Sequence, residues 1–111
     1  MKIEIKINSD TVLALNNLLH GVYALDLGGT TLQKVHRSIA YDLSEKFNNK
    51  AKNIIKAATL FDQKKLHNFK LKFYEAWTLY HFIDDTIDTQ NNEYRKTLLR
   101  KLKDNLNQKM T

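Results

Sequence analysis

Cysteine and proline are missing from this chain, and glycine appears only at Gly21, Gly28 and Gly29. Without cysteine there is no disulfide, no thiolate nucleophile and no cysteine-ligated zinc or iron–sulfur site. Without proline, and with so little glycine, the chain has few programmed breaks, which suits long helices. Arginine is scarce too, three against fifteen lysines, so the planar forks that read phosphates and bases are few. No apolar run approaches the roughly 20 residues that cross a bilayer, so no membrane partner is expected. The opening Met-Lys-Ile-Glu-Ile-Lys-Ile alternates charge with isoleucine, unlike the continuous apolar centre of a secretion signal. A cytoplasmic protein is expected.

What remains is ordinary globular material. At 111 residues, 42% hydrophobic and 27% charged, the chain suits one domain over 1–111 with a single core. Its net charge of +6 is sorted into blocks. From Lys46 to Lys72, eight lysines (Lys46, Lys50, Lys52, Lys56, Lys64, Lys65, Lys70 and Lys72) meet one carboxylate, Asp62. From Glu75 to Glu93 there are five acidic residues and no lysine or arginine, and the tail from Tyr94 is basic again. Sorted charge creates local potentials that steer a charged partner.

Ile3, Ile5 and Ile7 alternate with charged residues, the period of a half-buried strand over about 2–8. Asn8-Ser9-Asp10 supplies helix-capping chemistry. Val12, Leu15, Leu18, Leu19, Val22 and Leu25 then follow at helical spacing, and Gly28-Gly29 is the expected end. Thr30-Thr31 can cap the next helix. Its stripe of Leu32, Val35, Ile39, Leu43, Phe47, Ala51, Ile54 and Ala58 predicts about seven turns, with Asn48-Asn49 a place for a kink.

Asp62 to Asn68 reads as a polar loop. Phe69, Leu71 and Phe73 alternating with Lys70, Lys72 and Tyr74 predict a second strand over about 68–74. Leu79, Tyr80, Ile83 and Ile87 mark a third helix, and Leu98, Leu99, Leu102 and Leu106 a fourth. The predicted fold is therefore α+β, two short strands covered by four helices in the order β-α-α-β-α-α. That order hints at a duplicated unit. The open edges of a two-stranded sheet suggest a homodimer formed by edge pairing. Trp77 and Phe82 fall off the main stripe of the third helix, so they mark either a helix buried on most sides or a contact surface.

Two short motifs carry chemical associations. Asp26-Leu-Gly-Gly-Thr30 resembles the first phosphate motif of the hexokinase and sugar-kinase family, which implies roles for Asp26, Gly28, Gly29 and Thr30 around metal and phosphate. The likeness covers about ten residues, and those kinases need two lobes and more than twice this length. The helical period after Thr30 favours a helix end leading into a capped helix.

Asp84-Asp85-Thr-Ile-Asp88 resembles the aspartate-rich box of isoprenoid synthases, which implies magnesium and a diphosphate. With His81, the aspartates place ligand-type groups at i, i+3, i+4 and i+7 of one helix face. That family uses two such boxes in a large helical bundle, and Ile83 and Ile87 leave these aspartates on the wet side. His81 with Asp85 has the spacing of a general base and its orienter, but no nucleophile stands beside it in the sequence.

The pattern points to a small non-catalytic binding or regulatory protein, free of cofactor, that docks on a partner protein or ribonucleoprotein. Its expected contacts are Lys46, Lys50, Lys52, Lys56, Lys64, Lys65, Lys70, Lys72, Trp77 and Phe82. Small lysine- and asparagine-rich chains of this kind suit phage or mobile-element inhibitors of a host complex. A second reading is DNA or RNA binding through the Lys46–Lys72 block. Against it stand the scarcity of arginine and the lack of outward aromatics on the strands, where only Tyr74 is expected to face out. A third is a small metal-dependent protein built on Asp84, Asp85 and Asp88.

Overall fold

Two strands each run straight into a helix with no intervening loop. The computed structural model describes residues 2–21, 31–56 and 65–111. Among these residues the chain forms β1 (Lys2–Asn8), α1 (Ser9–Leu19), α2 (Thr31–Lys56), β2 (Leu66–Lys72), α3 (Phe73–Thr86) and α4 (Glu93–Met110). A short 3-10 turn, Ile87–Thr89, follows α3. The fold is α+β in the order β-α-α-β-α-α, and the two strands pair antiparallel. The segments holding Val22, Leu25, Asp26, Gly28, Gly29 and Thr30, and Ala58, Asp62 and Lys64, lie outside the described residues. So does the side chain of Lys56.

Both strand-to-helix junctions are capped, by different halves of one device. At the first, Asn8 Oδ1 accepts from the Thr11 amide at 2.8 Å and from its hydroxyl at 2.7 Å. At the second, Glu75 Oε1 reaches back to accept from the Lys72 amide at 2.8 Å. Each bond satisfies an amide that a helix start would otherwise leave unpaired.

That second cap corrects the predicted position of β2. The strand spans Leu66–Lys72 rather than 68–74, and its inward residues are His67, Phe69 and Leu71. Phe73 is the first residue of α3 and is 40% exposed. Lys70 and Lys72 point outward, as their alternation implies. The register sets Lys2 opposite Lys72, Glu4 opposite Lys70 and Ile5 opposite Phe69.

α2 is one helix of 26 residues. It runs unbroken through Asn48-Asn49, because Phe47 and Ala51 on either side are buried. Asparagine costs a helix well under 1 kcal/mol per residue, while burying a large apolar side chain contributes about 1.5–3 kcal/mol. Phe47 also meets Phe69 of β2, ring centroids 4.6 Å apart.

The duplication hinted at by element order is written into the burial pattern. One constant spacing pairs Ile3 with His67, Ile5 with Phe69 and Ile7 with Leu71. The same spacing pairs Val12 with Ala76, Ala14 with Thr78, Leu15 with Leu79, Leu18 with Phe82 and Leu19 with Ile83. Every one of these residues is buried. A second, shorter spacing pairs Leu43, Ser44, Phe47 and Ala51 with Leu98, Leu99, Leu102 and Leu106, again all buried.

Packing follows the same exchange. α1 lies against α2 and α4, and α3 lies against α4 and α2. Two β-α-α units thus bury each other's apolar faces about an approximate two-fold axis between Ile5 and Phe69. One continuous core joins both units. Because α3 is covered from two sides, Phe82 is buried although it lies off the main stripe.

Candidate functional site

The exposed face of the sheet carries one concentration of like charge. On β1, Lys2 and Lys6 are exposed and Glu4 is half-buried; on β2, Asn68, Lys70 and Lys72 are exposed. These residues share one face because side chains alternate along a strand. Four lysines therefore stand beside a single carboxylate, and Lys2 faces Lys72 directly across the ladder. Like charges set opposite one another are unfavourable unless solvent or a counter-charge screens them.

Two of these lysines belong to the sequence block, and two do not. In the sequence, Lys2 and Lys6 are simply the charged positions that alternate with Ile3, Ile5 and Ile7. Their alternation was the available signal, but antiparallel pairing is what brings them beside Lys70 and Lys72.

Other members of the block are placed less tightly. Lys46 of α2 donates from Nζ to the Lys70 carbonyl at 3.3 Å, at the β2 side of the sheet. Lys50 is half-buried, and Lys52 and Lys65 are exposed. Lys64 and the Lys56 side chain lie outside the described residues.

Aromatic groups sit at one end of the lysine face. Tyr74 is 51% exposed, and Lys72 Nζ stands 5.7 Å from the centre of its ring. Phe73 beside it is exposed too. The remaining aromatic candidates are engaged internally. Phe82 is buried in the core. Trp77 is half-buried between two imidazoles, His36 of α2 at 4.7 Å and His81 of α3 at 4.1 Å between ring centroids.

The acidic block loses much of its independence on folding. Glu75 caps α3, Asp84 takes a bond from Lys103 Nζ at 3.0 Å, and Glu93 lies 3.9 Å from Lys96. The Asp84 bond holds the Lys103 ammonium above the usual lysine pKa. Asp85 and Asp88 are exposed.

The aspartates of the third, metal-dependent reading are not gathered into one set. α3 ends at Thr86, so Asp88 belongs to the following turn and leaves the helix face, and His81 stacks on Trp77. Among the described residues no group of three histidine or carboxylate side chains could hold a metal ion. The kinase-like stretch from Asp26 to Thr30 lies outside the described residues.

One pair has the geometry of nucleophilic chemistry. Ser9 Oγ and His67 Nε2 are 2.9 Å apart, within the reach a base needs to take a hydroxyl proton. Both are buried, and His67 lies on the apolar side of the sheet, opposite Ile7 and two residues before Phe69. The bond satisfies two polar groups inside the core. The sequence predicts a loop at His67; the structure sets its imidazole at an inward strand position, bonded to Ser9.

Lysine and tyrosine side chains tie the helices to the sheet and to each other. Tyr94 Oη donates to Asp10 Oδ2 at 2.8 Å, joining the start of α4 to the start of α1. Lys109 Nζ of α4 donates to the Glu4 carbonyl of β1. Among the described residues no helix is long and apolar enough to cross a membrane. Comparison with known proteins found no matching family, no matching curated protein and no matching solved structure.

Proposed function

We propose that this is a non-catalytic binding and regulatory protein of the cytoplasm that docks on a partner protein or ribonucleoprotein through the exposed face of its sheet. The observation that carries this function is the display of Lys2, Lys6, Lys70 and Lys72 on one face against Glu4 alone. Such a face attracts an anionic surface and accelerates the encounter with it. The enclosure of Ser9 and His67 within the core supports a binding role over hydrolytic chemistry. Inhibition of a host complex, of the kind phages and mobile elements practise, is the regulatory act that suits so small and lysine-rich a chain.

The test is a pair of affinity purifications from the native cells, one with the wild-type chain and one with Lys2, Lys6, Lys70 and Lys72 all changed to glutamate. All four side chains are exposed, so thermal melting should show both proteins folded. A companion enriched by the wild type and lost from the variant supports docking through this face. Identical companions in both samples overturn it.

The homodimer expected from open sheet edges draws no support from the arrangement of the lysines. Lys109 and Lys46 occupy carbonyls on β1 and β2, the groups a second copy would need.

A further inference from the structure

We propose that the occupant of the lysine face is single-stranded nucleic acid, bound without sequence preference along the sheet. This rests on the docking role given to that face above and narrows it to the ribonucleoprotein alternative, with the nucleic-acid strand rather than a protein surface on the face. The face differs from the contiguous Lys46–Lys72 block, because half of its cations come from β1.

Three features of the face favour a phosphodiester strand over an acidic protein segment. The cations are spread over the paired strands from the Lys2–Lys72 rung to the Lys6 rung, a length of about 13 Å at 3.3 Å per residue, which suits a repeating charge. They are lysines, compact point charges that neutralise phosphate without reading base edges, so sequence preference is not built in. At one end stands the exposed ring of Tyr74, with the exposed Phe73 beside it.

An unpaired base can stack on such a ring, whereas a base inside a duplex cannot reach it. Lys72 Nζ, now 5.7 Å from the Tyr74 centroid, makes a solvent-exposed cation–π contact with that ring. It can exchange that contact for a phosphate as a base takes the ring. The facing Lys2–Lys72 pair gains a counter-charge in the same step.

The experiment is fluorescence anisotropy of a labelled twelve-nucleotide oligothymidylate and oligouridylate, titrated with the full chain at 50 to 200 mM salt. A strand that contacts four lysines releases counterions with a log–log slope near −0.7 per phosphate, so affinity should fall about 50-fold across that range. Lys70→Gln with Lys72→Gln should halve the slope, and so should Lys2→Gln with Lys6→Gln on the other strand. Tyr74→Ala should weaken binding at least about fivefold at constant salt, the smallest loss expected for one stacked base.

No anisotropy change at 50 mM salt overturns the proposal, as does a slope left unchanged in both double variants. Equal affinity for a duplex of the same length overturns the single-strand claim. Displacement of the strand by polyglutamate at equal charge, with no effect of Tyr74→Ala, assigns the face to acidic protein surfaces instead. In each of these cases the paired affinity purifications still decide separately whether the face docks on anything.

Discussion

Ser9 and His67, 58 residues apart in the chain, share a buried hydrogen bond of 2.9 Å between Oγ and Nε2. The bond joins the first residue of α1 to the inner side of β2, so it ties the start of one β-α-α unit to the strand of the other. It also lets a polar ring occupy a position that its symmetry counterpart, Ile3, fills with a hydrocarbon.

Ser9→Ala leaves the imidazole without that partner. Losing one hydrogen bond costs about 0.5–1.5 kcal/mol net. For a chain of this size each kcal/mol lowers the melting temperature by roughly 4 °C. Calorimetry should therefore show a fall of at least about 2 °C, and an unchanged transition would mean that the bond contributes nothing to the fold.

Thr78 presents the opposite case. Its counterpart across the two-fold is Ala14, it is 4% exposed, and its hydroxyl has no hydrogen-bond partner among the described residues. Thr78→Val keeps the shape and replaces the hydroxyl with a methyl group. A buried hydroxyl without a partner costs about 1–3 kcal/mol in proteins, so the variant should be more stable by about 1 kcal/mol. Urea unfolding should show a higher midpoint at an unchanged slope. A lower midpoint would mean that the hydroxyl is satisfied in solution.

Periodicity carried most of the fold and little of the surface. Ile3, Ile5 and Ile7 declare a strand within seven residues, and the α2 stripe declares a helix, because each signal is local. His67 is not legible as an inward residue, since the serine it bonds lies 58 positions away. Glu75 reads as one of five clustered acids until it caps the helix that starts at Phe73. The lysine face was half visible. Lys70 and Lys72 alternate plainly, but their alignment with Lys2 and Lys6 is a property of strand direction and register, which no single segment encodes.

The Tyr94–Asp10 bond makes a prediction about pH. Donation to Asp10, with lesser contributions from burial and from the charge of that carboxylate, raises the phenol pKa above its usual value. A group whose pKa is higher in the folded state stabilises the fold below its unfolded pKa, and loses that effect as pH rises through the folded value. At neutral pH the wild type should therefore be more stable than Tyr94→Phe. The difference should shrink above about pH 10, where an unfolded tyrosine ionises. Urea midpoints of both proteins across that range provide the check, and a gap that widens with pH would contradict the bond.

Finally, the two sides of the sheet carry matching devices. Glu4 and Lys70 face each other in the register, and the carbonyl of each accepts a helix lysine: Lys109 from α4 on the β1 side, Lys46 from α2 on the β2 side. In an antiparallel ladder, opposed residues either exchange both their bonds or turn both sets of amide groups outward. Carbonyls reached by flanking helices fit the outward set. A strand edge with free outward groups is a template for another chain, and lysine is a common means of blocking it. Lys46→Met with Lys109→Met keeps the aliphatic stems and removes both ammonium groups, leaving the edge carbonyls open to a second strand. Sedimentation velocity should find the wild type monomeric and the double variant associating as concentration rises. A variant that stays monomeric at the highest concentration reached would show that the helices themselves, not their lysines, protect the edges.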